Sequence, residues 1–175
     1  MKKIVLILLS GFFGLTTFAQ EGDVTIGAQG GYTTKFKGTV YGLNLSYGVN
    51  NILEISASEM MSTDLMKYDL LYEKDYRLKL FSATHLNIRF LLLNFGYFAT
   101  GPGVGAQYLI YRYQPVPNEY LDRDFNGLGF NIGWHARCNV TENLRINAGW
   151  HYSSIKEENS YNTFYLGIGY AFNLY

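Results

Sequence analysis

Cysteine, proline and long apolar runs are all scarce in this chain. The single cysteine, Cys138, excludes a disulfide framework within the chain. No apolar run beyond the N-terminus is long enough to cross ~30 Å of hydrocarbon as a helix, which excludes a helical membrane protein. Charge of one sign is also lacking, since 14 basic residues face 14 acidic ones. No basic excess predicts a nucleic-acid partner, and no acidic tail predicts disorder.

The N-terminus has the three parts of a secretion signal. Lys2 and Lys3 precede an apolar run over residues 4–9, and small residues flank Phe18 in Thr17-Phe18-Ala19. This pattern predicts a signal peptide over residues 1–19, cleaved after Ala19, and one mature domain over residues 20–175. Losing two lysines leaves 12 basic against 14 acidic residues, a net charge of −2.

Strict alternation of apolar and polar residues recurs through the rest of the chain. It is clearest over residues 128–140, where one parity is wholly apolar and the other is polar and glycine-rich. Successive side chains of a β-strand point to opposite faces, so this segment predicts a strand with one apolar face. Cys138 lies on that apolar parity, where a thiol behaves as a small hydrophobe, and we assign it no redox or metal role.

Eight such segments, arranged as four hairpins, predict an all-β fold. They cover about residues 23–33, 39–49, 52–58, 76–90, 95–113, 128–140, 144–153 and a last strand that ends the chain. Gly101-Pro102-Gly103 interrupts the fifth strand and predicts a bulge or bend, because proline cannot donate to the ladder. Longer connections at one end and short turns at the other are typical of outer-membrane barrels.

The glycine-rich parity is expected to face inward. An eight-stranded barrel has an interior just wide enough for its side chains, so we expect small residues inside and bulky apolar ones only outside. Trp134, Trp150 and Phe172 then face outward. A continuous apolar belt in water would aggregate, so the surroundings of the barrel must be lipid. A soluble periplasmic barrel with the opposite orientation is the alternative.

Two segments resemble small outer-membrane barrels of Gram-negative bacteria. They are FGYFATGPGVGAQYL over residues 95–109 and FYLGIGYAFNL over residues 164–174. The resemblance is to porin-family or outer-membrane β-barrel-domain proteins of OmpA- and OmpW-like architecture. It implies a bacterial outer-membrane location and insertion by the barrel-assembly machinery, but fold-level likeness assigns no reaction.

One short motif resembles that of another barrel family. His151-Tyr152-Ser153 is similar to the His-x-Ser of lipid A deacylases, in which a histidine activates a serine for attack on an ester. The resemblance implies Ser153 as nucleophile and His151 as base, with Asn162, or Glu157 or Glu158, in place of the acid. By parity His151 and Ser153 face the lumen, away from acyl chains, so we predict no catalytic role for them.

The inward parity carries most of the charged and histidine side chains of the strands. We expect them to form a polar network that fills the lumen, with a narrow anion-preferring path as the alternative. The predicted lumen residues are Glu54, Arg77, Lys79, His85, Arg89, His135, Arg137, Arg145 and His151. The three histidines have no recognisable ligand spacing, so we predict no metal and no cofactor.

The sequence therefore predicts an eight-stranded antiparallel up-and-down barrel in the bacterial outer membrane. A non-enzymatic envelope role, structural or through binding by the loops at residues 62–75 and 114–126, is favoured. A lipid A deacylase-like hydrolase and a narrow pore for small solutes are the alternatives. Expected partners are outer-membrane lipid and lipopolysaccharide, the barrel-assembly machinery during insertion, and an extracellular ligand of unknown identity.

Overall fold

The computed structural model describes residues 22–69, 74–114, 124–155 and 160–173. The predicted signal peptide, residues 1–19, lies outside these ranges, so the division into a signal and a domain over 20–175 stays a prediction. Within the described ranges, no helix has the length and apolar character needed to cross a membrane.

The described chain is built of β-strands joined by turns and loops. They are β1 (Asp23–Thr33), β2 (Gly38–Gly48), β3 (Leu53–Ser62), β4 (Met66–Asp69), β5 (Lys74–Phe90), β6 (Leu93–Asn94), β7 (Phe98–Tyr113), β8 (Phe125–Asn139), β9 (Leu144–Ile155) and β10 (Tyr161–Asn173). Eight of them form the barrel, whereas β4 and β6 are short additions that pair with β5 and β7.

The eight long strands close into one antiparallel ring. Each pairs with its neighbour in chain order, β5 pairs with β7, and β10 pairs back with β1 from Asp23↔Asn173 to Thr33↔Thr163. Closure pairs each of the eight long strands with a neighbour on both sides, which is the condition for a sheet to cross lipid. The predicted eight-stranded up-and-down barrel is confirmed.

Bulky apolar side chains cover the outer wall. Leu43 is 67% exposed, Leu128 76%, Trp134 48% and Phe172 45%. Cys138 is exposed on the same wall. The predicted orientation, with the tryptophans and Phe172 outside, is therefore confirmed for these positions.

The two ends of the barrel differ in their connections. The turn end carries residues 49–52, 91–97 and 140–143, together with Asp23 and Asn173. The loop end carries residues 34–37 and the connections that join β3 to β5, β7 to β8 and β9 to β10. The strands β5, β7 and β8 are 17, 16 and 15 residues long, whereas β3 has 10 residues.

A β-bulge reverses the parity of β5 near its loop end. Leu78 pairs with Tyr113 and Leu80 with Arg112, so Lys79 is an extra residue in the ladder. Phe81, on the turn-end side of the bulge, faces inward, and so does Leu78 on its loop-end side. The prediction of unbroken alternation from residue 76 to 90 is therefore wrong. Two adjacent apolar residues, Leu80 and Phe81, are the sequence signal of the break.

Pro102 lies in a regular stretch of β7. The register with β8 runs through Gly101↔His135, Pro102↔Trp134 and Gly103↔Gly133 without a shift, so the predicted bulge is absent from this pairing, and the alternative of a bend stays a prediction. On the other side of β7, pairing with β5 ends at Gly103. Pro102 therefore lies between the part of β7 that pairs with β5 and the part that pairs with β6.

Candidate functional site inside the barrel

A charge cluster occupies the interior near the turn end. Glu54 on β3 accepts hydrogen bonds from Arg89 and Arg137, with Nη1 to carboxylate oxygen distances of 2.8 Å in both cases. All three side chains are buried. Bonds between charged partners are stronger than neutral ones, and each oxygen of Glu54 receives its own guanidinium. This arrangement ties β3, β5 and β8 together across the lumen.

A second buried ion pair lies beside the first. The guanidinium of Arg145 on β9 donates to the carboxylate of Asp23 and to the hydroxyl of Thr25, both on β1. We call Asp23, Glu54, Arg89, Arg137 and Arg145 the turn-end charge cluster. Sequence reasoning missed Asp23, although its parity, shared with Thr25, places it inside.

The middle of the interior is polar and rich in histidine. The rings of His85 and His151 meet edge to face with centroids 4.5 Å apart. His135 Nδ1 lies 3.0 Å from the hydroxyl oxygen of Tyr165. Glycines make room for these rings: a Cβ on Gly133 would lie 2.6 Å from the Cα of His151. A cavity of about 20 Å³ remains among these groups.

The interior near the loop end is apolar, which the sequence argument did not foresee. We call this group the loop-end core. Its buried members are Phe36, Val40, Met60, Leu65, Tyr76, Leu78, Phe81, Ala83, Leu109, Tyr111, Tyr113, Ile155 and Tyr161. The prediction that bulky apolar residues have room only outside is therefore wrong for this half of the barrel.

The turn between β1 and β2 completes the loop-end core. The Phe36 ring packs within 5.0–5.4 Å of the rings of Phe81, Tyr111 and Tyr161, measured between centroids. Glycine again makes room, since a Cβ on Gly38 would lie 2.6 Å from Leu65. A short turn with two lysines, Lys35-Phe36-Lys37-Gly38, thus contributes an aromatic residue to the core.

The structure divides the nine predicted lumen residues into two groups. Seven are buried in the interior: Glu54, His85, Arg89, His135, Arg137, Arg145 and His151. Arg77 and Lys79 are exposed instead, and their placement in the lumen was wrong. The β5 bulge is the reason, because it turns Tyr76 and Leu78 inward at this level. Arg77 forms an ion pair with Asp64 outside the barrel.

The three residues carried over from the deacylase motif do not form a triad. His151 and Ser153 lie inside, whereas Asn162 lies on the outer wall and accepts a hydrogen bond from the Trp150 indole at 3.0 Å. The assignment of Asn162 to the place of the acid is therefore wrong. Asn162 pairs with Tyr152, so it faces the opposite side of the sheet from His151 and Ser153. Glu157 and Glu158 lie outside the described residues. A nucleophile enclosed in the lumen has no access to acyl chains in the membrane.

Metal binding is not supported by the arrangement of the histidines. Among the described residues, no group of three or more His, Cys, Asp or Glu side chains is placed to hold an ion. His135 meets Tyr165 rather than the His85 and His151 pair. These histidines therefore belong to a packed polar layer.

Comparison with known proteins agrees with this geometry. The chain matches the family described as outer membrane protein beta-barrel domain over residues 5–172. No curated protein sequence matches it significantly.

Solved barrels share the fold at low sequence identity. The N-terminal β-barrel domain of Pseudomonas aeruginosa OprF is 18% identical, with a TM-score of 0.58 over 87% of this chain and 98% of that one. Ail of Yersinia pestis is 17% identical, with a TM-score of 0.56 over 87% and 99%. Neisserial surface protein A is 12% identical, with a TM-score of 0.56 over 87% and 96%. Together with the closed eight-stranded barrel and its apolar wall, the family match shows that this chain belongs to the outer membrane protein beta-barrel domain family, a protein of the bacterial outer membrane.

Proposed function

We propose that this protein is a non-enzymatic surface barrel that binds a partner at its loop end. The observation that carries the proposal is that part of the β-sheet extends beyond the barrel at its loop end. The register of β3 with β5 ends at Ser62↔Phe81, so residues 74–80 of β5 extend beyond the end of β3. There they pair with β4 and with the end of β7. We call this extension the raised sheet.

The outer face of the raised sheet carries charges of both signs. Arg77 pairs with Asp64, and Arg112 Nε lies 3.9 Å from an Asp124 oxygen. Their side chains are 56–73% exposed, and exposed pairs of this kind contribute only about 0–1 kcal/mol to stability. A partner with complementary charges can therefore replace them at little cost to the fold. The inner face of the same sheet, with Tyr76 and Leu78, belongs to the loop-end core and holds the surface rigid.

A sulfated glycan is a suitable first probe of this surface. Ail, which shares only the fold at 18% identity, has been solved in complex with the heparin analogue sucrose octasulfate. Among the described side chains, the raised sheet offers three exposed cations to a polyanion: Arg77, Lys79 and Arg112.

The test is a binding measurement with the barrel embedded in lipid nanodiscs. Sulfated glycans and extracellular matrix proteins are immobilised, and binding of the wild type is compared with that of an Arg77→Ser, Arg112→Ser variant. We expect the variant to bind at least tenfold more weakly at low salt. An exposed Glu142→Ser variant at the turn end is the control. Binding that is absent for every probe, or equal in all three proteins, would refute the proposal.

The two alternatives make different demands on the structure. A lipid A deacylase-like hydrolase needs Ser153 and His151 open to lipid, whereas both are buried in the interior. Its test is the acyl content of lipid A in cells carrying the wild type or Ser153→Ala, and a difference would favour the enzyme. A narrow pore for small solutes needs a path through the loop-end core and the turn-end charge cluster, and bilayer conductance is its test.

We also propose that lipopolysaccharide covers the outer wall beside the raised sheet. Lys79 and Arg112 lie on the outer face next to Leu80, near the level where β3 ends. Their positive charges suit anionic lipid headgroups. Nearer the turn end, the hydroxyls of Ser82, at 2.5 Å, and of Thr84 donate hydrogen bonds to Glu59, and their oxygens keep lone pairs that can accept hydrogen bonds from lipid. Transfer from phosphatidylcholine to lipopolysaccharide vesicles should stabilise the wild type more than a Lys79→Ser, Arg112→Ser variant. Equal stabilisation would contradict this. Insertion by the barrel-assembly machinery remains part of the proposal.

A further inference from the structure

Among the described residues, the turn-end charge cluster has more cationic than anionic side chains. It contains three guanidinium groups, those of Arg89, Arg137 and Arg145, against the two carboxylates of Asp23 and Glu54. Asp23 neutralises Arg145, so the remaining excess falls on Arg89 and Arg137, which share Glu54. These two arginines are only 5% and 7% exposed. A buried charge without a counter-charge is costly, so a neutralising anion would stabilise the fold.

The cavity in the middle layer lies directly beside this excess charge. Its polar lining comes from Arg89, Asn87, Asn131, His135, His151 and Tyr165. A volume of about 20 Å³ accommodates one particle of about the size of a water molecule. The site is thus small and partly open, lined by these polar groups and by Trp134 and Trp150, and in contact with one of the two arginines that share a single carboxylate.

The lining offers unsatisfied hydrogen-bond donors. The Nε2 atoms of His135 and His151 are buried and make no hydrogen bond. When the Tyr165 hydroxyl donates to Nδ1 of His135, the neutral ring carries its proton on Nε2 and becomes a donor there. The Oδ1 atom of Asn87 is an unpartnered acceptor, and exchange of its amide oxygen and nitrogen turns it into a donor.

We propose that this cavity binds one small monovalent anion, a halide such as chloride, which neutralises the Arg89–Glu54–Arg137 group. The anion would accept hydrogen bonds from Arg89, His135 and His151. A water molecule fits the same volume, but it leaves the excess charge in place. The site is independent of partner binding at the raised sheet, because it lies within the lumen.

Bromide provides the direct test. Crystals of the wild-type barrel grown in sodium bromide should show an anomalous peak within hydrogen-bonding distance of Arg89 and of His135 or His151. The absence of a peak, or a peak elsewhere in the interior, would overturn the proposal.

Stability in solution provides a second test that needs no crystal. The barrel in lipid vesicles is unfolded in urea at constant ionic strength, with chloride exchanged for gluconate. Above the dissociation constant, each tenfold rise in chloride should raise the folding equilibrium constant of the wild type about tenfold.

Two variants of equal charge change separate the site from general salt effects. Arg137→Gln leaves Glu54 paired with Arg89 alone, so its dependence on chloride should disappear. Lys37→Gln removes the cation of an exposed ion pair with Asp75 and should keep the wild-type dependence. Equal chloride dependence in Arg137→Gln and the wild type would refute the proposal. If Arg137→Gln does not fold, the bromide peak in the wild type still decides.

Discussion

Glu54 shows how one buried carboxylate can connect three strands of a small barrel. Its two oxygens bind guanidinium groups from two different strands, and all three side chains are removed from water. Loss of the carboxylate leaves two buried cations without a partner. Breaking a buried pair in this way costs far more than breaking an exposed one.

We expect Glu54→Gln to lower the free energy of unfolding by about 3–5 kcal/mol. The measurement is urea unfolding in lipid vesicles, followed by the fluorescence of Trp134 and Trp150. Glu142→Gln, in an exposed turn, should change stability by less than about 0.5 kcal/mol. Equal stabilities of the two variants would show that the arginines are satisfied without Glu54.

Two glycines of neighbouring strands differ in the space around them. A Cβ on Gly42 would lie 1.7 Å from the carbonyl oxygen of Glu59, whereas one on Gly30 would meet nothing closer than 3.8 Å. Overpacking typically costs about 1–3 kcal/mol. Gly42→Ala should therefore lower the urea midpoint clearly, and Gly30→Ala should leave it almost unchanged. The reverse order would mean that β2 and β3 separate easily at this level.

At the scale of elements, the β5 bulge decides which side chains enter the loop-end core. The bulge places Leu78 inside the barrel, so Leu78→Ala should lower the free energy of unfolding by more than about 2 kcal/mol, because a buried apolar side chain is lost from the core. Lys79→Ser keeps the extra residue and should be nearly neutral. Hydrogen exchange over residues 74–80 measures the local effect, and unchanged protection in the Leu78→Ala variant would disprove it.

The β1–β2 turn is the second element that shapes the core. Phe36→Ala should lower the free energy of unfolding by about 3–5 kcal/mol, because the ring packs against Phe81, Tyr111 and Tyr161. Phe95→Ala, at an exposed position at the turn end, is the matched control and should cost much less. A small effect at Phe36 would mean that the core closes without this turn.

At the scale of the whole molecule, side chains of different chemical type fill the two halves of the lumen. Aromatic and aliphatic side chains occupy the loop end, and ion pairs occupy the turn end. We therefore expect planar bilayer recordings of the wild type to show no steady ion conductance. Steady channels of uniform size would contradict this expectation and favour the narrow pore.

Some features of the site followed from the sequence and others did not. Parity alone placed Glu54, His85, Arg89, His135, Arg137, Arg145 and His151 on the inner face, because side-chain direction along a regular strand has a period of two residues. Parity failed at Arg77 and Lys79, because one extra residue in the ladder reverses every side chain beyond it. The pairing of Glu54 with two arginines depends on strands distant in the chain, and no local pattern contains it.

The amino-acid sequence by itself determined the strand count, the closed antiparallel barrel and the apolar outer wall. These follow from a local rule, the alternation of side chains, repeated in each strand. The tertiary structure alone decided what fills the lumen: the shared carboxylate of Glu54, the histidine layer and the apolar core around Phe36. Those contacts depend on strand register, on one bulge and on a turn that folds back into the barrel, and each of these is set only when distant strands meet.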